Sequence, residues 1–149
     1  PKAGFAAGPC LFKDTMQLST FNDNAFFLGH SAMLVNEGLP NYLVRRAAQK
    51  YDLRSLTVGI LGMTFKSDCD DPRDSLSYKL KKSLAFEAKE VLCADPYLER
   101  PWILPAEEVI ARSALIFIGT PHSAYKKLDF KGKPVIDVWK SVPGGMTVV

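Results

Sequence analysis

The feature that most constrains the fold lies in the second half of the chain. From about Leu56, short apolar runs alternate with amphipathic stretches. Leu56-Thr57-Val58-Gly59-Ile60-Leu61-Gly62 is an apolar run ending in glycine, as a buried parallel strand does. Glu90-Val91-Leu92-Cys93-Ala94, Ala114-Leu115-Ile116-Phe117-Ile118-Gly119 and Pro134-Val135-Ile136-Asp137-Val138 read as further strands. Trp102-Ile103-Leu104 reads as a brief one. Between the first two runs, Asp71-Pro72-Arg73-Asp74 opens a helix, with Asp71 as N-cap, Pro72 at N1 and Asp74 at N3. Leu76, Leu80 and Leu84 form its buried stripe, and Pro105-Ala106-Glu107-Glu108 opens a second, shorter helix. Strands alternating with helices imply right-handed crossovers, so the expected class is α/β with a Rossmann-like parallel sheet.

A helical segment is expected to precede the sheet, giving a division into residues 1–54 and 55–149. Phe21 to Asn36 is apolar almost all round, which implies burial on more than one side, against a second subunit or a further domain. Gly38 is expected to end this helix and Pro40 to start the next, whose stripe is Leu43, Val44, Ala47, Ala48 and Tyr51. Phe26, Phe27 and Leu34 would hold a homodimer.

Composition narrows the function. With 47% hydrophobic residues, the 149-residue chain can bury a core. The net charge of +3 is scattered, and Lys79, Lys81 and Lys82 read as a solvated helix face, so no nucleic-acid partner is expected. No apolar run reaches the roughly 18 residues of a membrane span, and the turn-rich opening does not read as a signal peptide. Cys10, Cys69 and Cys93 have neither disulfide-framework nor zinc spacing, which suits a reducing, cytoplasmic setting. His30 and His122 read as structural, and no metal site is expected.

Chemistry concentrates in two places. Cys10 follows the Gly/Pro-rich turn Gly4-Phe5-Ala6-Ala7-Gly8-Pro9 and precedes Lys13-Asp14. A nearby cation favours the thiolate, and a carboxylate can position a water. Alone, the pattern equally suits an incidental cysteine in a turn. Open parallel sheets bind ligands beyond the carboxyl ends of their strands. Those ends carry Phe65-Lys66, Thr120-Pro121-His122 and Asp137-Val138-Trp139. Lys66, Arg73 and a helix N-terminus there suit a phosphate, and Phe65 could stack on a base. The dinucleotide fingerprint is absent. Gly59-Ile60-Leu61-Gly62 gives only GxxG, and an acidic stretch with Asp68, Asp70 and Asp71 intervenes before the helix. Helix capping and pairing with Lys66 or Arg73 explain those carboxylates better than a metal does.

Together these motifs resemble the UDP-glucose/GDP-mannose dehydrogenase family. Gly4 to Thr15 resembles its catalytic-cysteine loop. Gly59 to Lys66, followed by Asp70-Asp71-Pro72-Arg73-Asp74-Ser75, resembles the opening of its C-terminal UDP-binding domain, and Asp95-Pro96 also fits. The resemblance implies oxidation of the C6 alcohol of a nucleotide sugar to the acid, with two NAD⁺. By that resemblance Cys10 attacks the C6 aldehyde and carries a thioester. Asp14 activates the hydrolytic water, and Lys13 favours anionic oxygen and thiolate character. Gly4, Phe5 and Gly8 shape the loop over the sugar, Phe65 and Lys66 contact substrate, and Arg73 reaches the cofactor.

The resemblance also implies a separate NAD-binding domain that these motifs do not include, so this chain is expected to be inactive alone. UDP-glucose is the expected substrate. A UDP-N-acetylhexosamine or GDP-mannose is the alternative, as is a non-catalytic nucleotide-binding module. Many members of the family carry arginine where this chain has Trp139, which leaves the sugar preference open.

Overall fold

The computed structural model describes residues 4–146. The outermost residues of both expected domains, 1–3 and 147–149, lie outside the described residues. Helices α1 (Leu11–Phe21) and α2 (Phe27–Lys50) come first. A 3-10 turn at Leu53–Ser55 leads into β1 (Thr57–Leu61), α3 (Leu76–Glu87), β2 (Glu90–Ala94), α4 (Ala106–Arg112), β3 (Leu115–Ile118) and β4 (Val135–Ile136). All strand pairs are parallel and the order is β2-β1-β3-β4. The α/β class with a Rossmann-like parallel sheet therefore stands.

Strand alternation sends successive side chains to opposite faces, and each face has its own core. Val58, Ile60, Leu115 and Phe117 meet Leu80 and Leu84 of α3 and Leu43, Val44 and Ala47 of α2. On the other face, Leu61, Ile116 and Ile118 meet Val109 and Ile110 of α4. Gly59 makes that packing possible, because a Cβ there would lie 2.7 Å from Val109.

Several local expectations are corrected. The segment after the cysteine forms α1, with Cys10 as its N-cap. Gly38 and Pro40 lie inside α2, which neither ends at the glycine nor restarts at the proline. Pro40 only removes the donor that would meet the Asn36 carbonyl. Packing of Met33, Leu43, Val44 and Ala47 carries the helix past that gap. Helix α3 starts later than expected. Ser75 is its N-cap, its hydroxyl accepting from Ser77 N–H, while Asp74 sits at φ 52°, outside helical geometry. The Trp102–Leu104 segment contributes one isolated bridge, Ile103 to Cys93, rather than a strand. Half of α2 packs into the sheet core, but Phe27, Leu28, Leu34 and Val35 on its first half are exposed in this chain.

Candidate active site at the carboxyl edge of the sheet

The order β2-β1-β3-β4 places the topological switch between β1 and β3, so the crevice lies beyond Leu61 and Ile118. A buried polar network closes the sheet there. The Asp95 Oδ2 atom accepts from Met63 N–H at 2.6 Å, from Thr64 N–H at 3.2 Å and from the His122 ring at 3.0 Å. Burial works against this carboxylate, but the bonds from His122, Met63 and Tyr97 outweigh it and hold its pKa below the usual range. The other His122 nitrogen, Nδ1, accepts from Asp68 N–H at 2.9 Å, so the neutral ring carries its proton on Nε2. His122 is structural, as expected, and its task is to brace the loop after β1.

That loop presents Phe65, Lys66 and Arg73. Phe65 N–H bonds the Asp71 carbonyl at 3.0 Å, which draws residues 65–71 into a closed turn. Arg73 meets the Asp71 carboxylate through both Nε and Nη2. The guanidinium lowers the Asp71 pKa, and the carboxylate raises that of Arg73, with a smaller contribution from the Cys10 sulfur. Arg73 is thus paired locally and lies near the Cys10 sulfur. Lys66 lies 5.4 Å from the centroid of the Phe65 ring. Pairing of the acidic stretch with Arg73 follows the expectation from sequence.

The cysteine loop sits on this edge. A Cβ on Gly8 would lie 3.1 Å from the Phe65 ring, and one on Gly4 would overlap the Trp139 ring at 2.0 Å. Both glycines have positive φ, 125° and 126°, a region that favours glycine. Phe5 is buried edge-on against Trp139, with ring centroids 5.9 Å apart. Phe65 therefore spends one side on Gly8. Cys10 is exposed at the start of α1. Its carbonyl accepts from Asp14 N–H at 2.8 Å, which fixes Asp14 one turn along. Lys13 and Asp14 pair at 3.4 Å with more than half of each side chain in solvent. Such pairs contribute about 0–1 kcal/mol, so both remain free to turn to a ligand. Beside them a cavity of about 350 Å³ lies among Gly8, Phe12, Lys13, Ser75 and Lys79. The structure thus sets Gly8 against Phe65, Gly4 and Phe5 against Trp139, and Cys10 near Arg73. Gly8 and Lys13 line the cavity, whereas Cys10, Asp14, Phe65, Lys66 and Arg73 lie outside its lining. Sequence reasoning missed Asn36, whose amide holds Ala6 of the loop. Trp139 stood out in the sequence as a residue at a strand end and as a departure from a pattern, not as a partner of the cysteine loop.

The chain also compares closely with known proteins. Residues 59–143 match the model of the UDP-glucose/GDP-mannose dehydrogenase family, UDP binding domain. UDP-N-acetyl-D-mannosamine dehydrogenase of Pyrococcus horikoshii is 29% identical over 129 residues, 83% of this chain and 31% of the relative. UDP-glucose 6-dehydrogenase of Rhizobium meliloti is 29% identical over 138 residues, again 83% of this chain and 31% of the relative. A solved UDP-glucose dehydrogenase from Pyrobaculum islandicum has a TM-score of 0.82 at 25% identity, covering 95% of this chain and 36% of that one. This chain therefore spans under a third of the length of these curated relatives. With more than half of its residues inside that family model, the chain belongs to the UDP-glucose/GDP-mannose dehydrogenase family.

Proposed function

We propose that this chain supplies the nucleotide-sugar side and the nucleophile of an NAD-dependent nucleotide-sugar 6-dehydrogenase. The observation that carries the reading is the contact of Gly8 with Phe65, which sets the cysteine loop on the edge where parallel sheets bind ligands. In this reading residues 4–54 are the cysteine-bearing helical segment and residues 55–146 the nucleotide-sugar domain. The Cys10 thiolate adds to the C6 aldehyde carbon, and Lys13 balances the charge that develops on its oxygen. Oxidation of the resulting thiohemiacetal to a thioester would need NAD⁺, held outside the described residues, to accept the C6 hydride as the hydroxyl proton is lost; at the thioester stage a water attacks the same carbon. Asp14 takes its proton, the C–S bond breaks, and the acid leaves with the Cys10 thiolate restored. Phe65 and Lys66 face the nucleotide sugar.

A dinucleotide does not fit the described residues. Gly59 is filled by Val109 and Ser113, and Gly62 by Thr120, so neither leaves room for a pyrophosphate. Helix α3 begins well after β1 ends. No hydride step is assigned to this chain, and the nicotinamide belongs to another part of the enzyme, with Arg73 as the side chain directed to it. Alone, the chain reduces no NAD⁺.

A UDP-sugar is the proposed substrate class, with UDP-N-acetyl-D-mannosamine and UDP-glucose as the two sugars to compare, since the names of the relatives carry both. A homodimer through the exposed apolar face of α1 and α2 belongs to the same reading, as does a cytoplasmic setting, which three free cysteines support. No helix among the described residues is long and apolar enough to cross a membrane.

Calorimetric titration of the chain with UDP, GDP and NAD⁺ tests the ligand class. The reading expects weak UDP binding and no NAD⁺ heat. Tighter GDP binding would move the substrate to a GDP-sugar, and NAD⁺ binding stronger than UDP would overturn the assignment.

A further inference from the structure

We propose that Asn36 of α2 and Trp139 after β4 are positioning residues that seat the cysteine loop. The importance of that seat to chemistry rests on the function proposed above. Residues 5–8 belong to no helix or strand, so their backbone needs partners from elsewhere. Asn36 supplies them as a strand would. Its Oδ1 accepts from Ala6 N–H at 2.8 Å, and its Nδ2 donates to the Ala6 carbonyl at 2.6 Å. One side chain thus fixes both polar groups of a residue thirty positions away. Trp139 closes the loop from the other side. Its ring occupies the space a Gly4 side chain would need, and it packs edge-on to Phe5. Trp139 is itself held from behind. The buried Asp137 carboxylate accepts from the N–H groups of Trp139 at 2.9 Å, Ser141 at 2.6 Å and Val142 at 2.9 Å. The loop is therefore gripped by α2 at Ala6 and by the end of β4 at Gly4 and Phe5, immediately before Cys10.

Amide hydrogen exchange of the full chain reads the seat directly. Asn36→Ala removes both bonds to Ala6 and is expected to speed exchange at that amide by about tenfold. Ile60 in β1 should keep its rate. Asn36→Asp, which still accepts from Ala6 N–H, should restore part of the protection. Trp139→Phe should keep the seat, and Trp139→Ala should loosen it. Unchanged exchange at Ala6 in both alanine variants would overturn the proposal, as would an equal rise at Ile60, which means general unfolding. Cys10→Ser should leave Ala6 protected. If it does, and the loop loosens in the alanine variants without altering protection of Cys10 by a nucleotide sugar, the seat stands and the catalytic reading of the loop falls.

Discussion

At the strand ends, Leu61, Phe117 and Ile118 are at most 2% exposed, whereas Phe21 and Leu28 on the helical arm are 89% and 83% exposed. The two regions are similarly rich in large apolar side chains. In the sheet those side chains are sealed by α3 and α4, two helices of the same short segment. On the arm, only the second half of α2 reaches the core, and α1 with the first half of α2 extends beyond it. The sheet buries these side chains within this chain, and at its carboxyl edge Asp95 accepts from Met63 N–H and the His122 ring. The arm leaves a run of large apolar side chains exposed in this chain. The cysteine loop joins the two regions, with Asn36 on one side and Trp139 on the other.

This contrast can be broken by substitution. The largest effect is expected in the buried network. Asp95→Ala would orphan the N–H groups of Met63, Thr64 and Tyr97 together with the His122 ring, and should cost about 3–5 kcal/mol in urea unfolding. An effect under about 1 kcal/mol would mean that the edge is not braced there. The same group predicts a response to acid. Its folded pKa lies below the unfolded value, so its contribution is complete above about pH 4 and is lost as pH falls through the folded value. The urea midpoint should drop more steeply in acid for the wild type than for Asp95→Asn.

A smaller loss is expected at Lys133, whose ammonium donates to the carbonyls of Ala111 at 2.8 Å and Ser113 at 2.7 Å, and also to that of Ile110, at the end of α4. Lys133→Met should cost about 1–2 kcal/mol. The smallest stability change belongs to the arm. Phe21→Ser and Leu28→Ser should each change the unfolding free energy by less than about 0.5 kcal/mol. If the arm is a subunit interface, the same changes should weaken self-association in sedimentation. A large loss of monomer stability would erase the distinction between the regions.

The sheet was legible in the sequence because β1, β2 and β3 are continuous apolar runs with sharp ends. Their boundaries fall within about a residue of the expected ones, as buried parallel strands allow. Position along the helices was harder to read. Asp71 and Ser75 are both good caps, and only the positive φ of Asp74 excludes the earlier start. Pro40 reads as a helix start, but tertiary packing carried α2 through it. Helix α1 was hidden because Cys10 is not a preferred N-cap residue and much of its apolar surface meets no core. Within the site, the glycines and the Phe65 loop were readable from local chemistry. The grip of Asn36 on Ala6 was not, because nothing at either position announces a partner thirty residues away. Trp139 was visible, but its contact with Gly4 requires the end of β4 to lie beneath the loop, which only the sheet order reveals.

The central claim is that Cys10 stands beside a nucleotide-sugar site. Its alkylation by iodoacetamide tests this most directly, in a Cys69→Ser background where Cys93 stays buried, its thiol pushed up to about 11 by desolvation. A saturating UDP-sugar should slow the reaction at Cys10 by about tenfold, and UDP alone should slow it less, because the sugar is the part that reaches the thiol. An unchanged rate at a concentration where calorimetry shows the UDP-sugar bound would contradict the account.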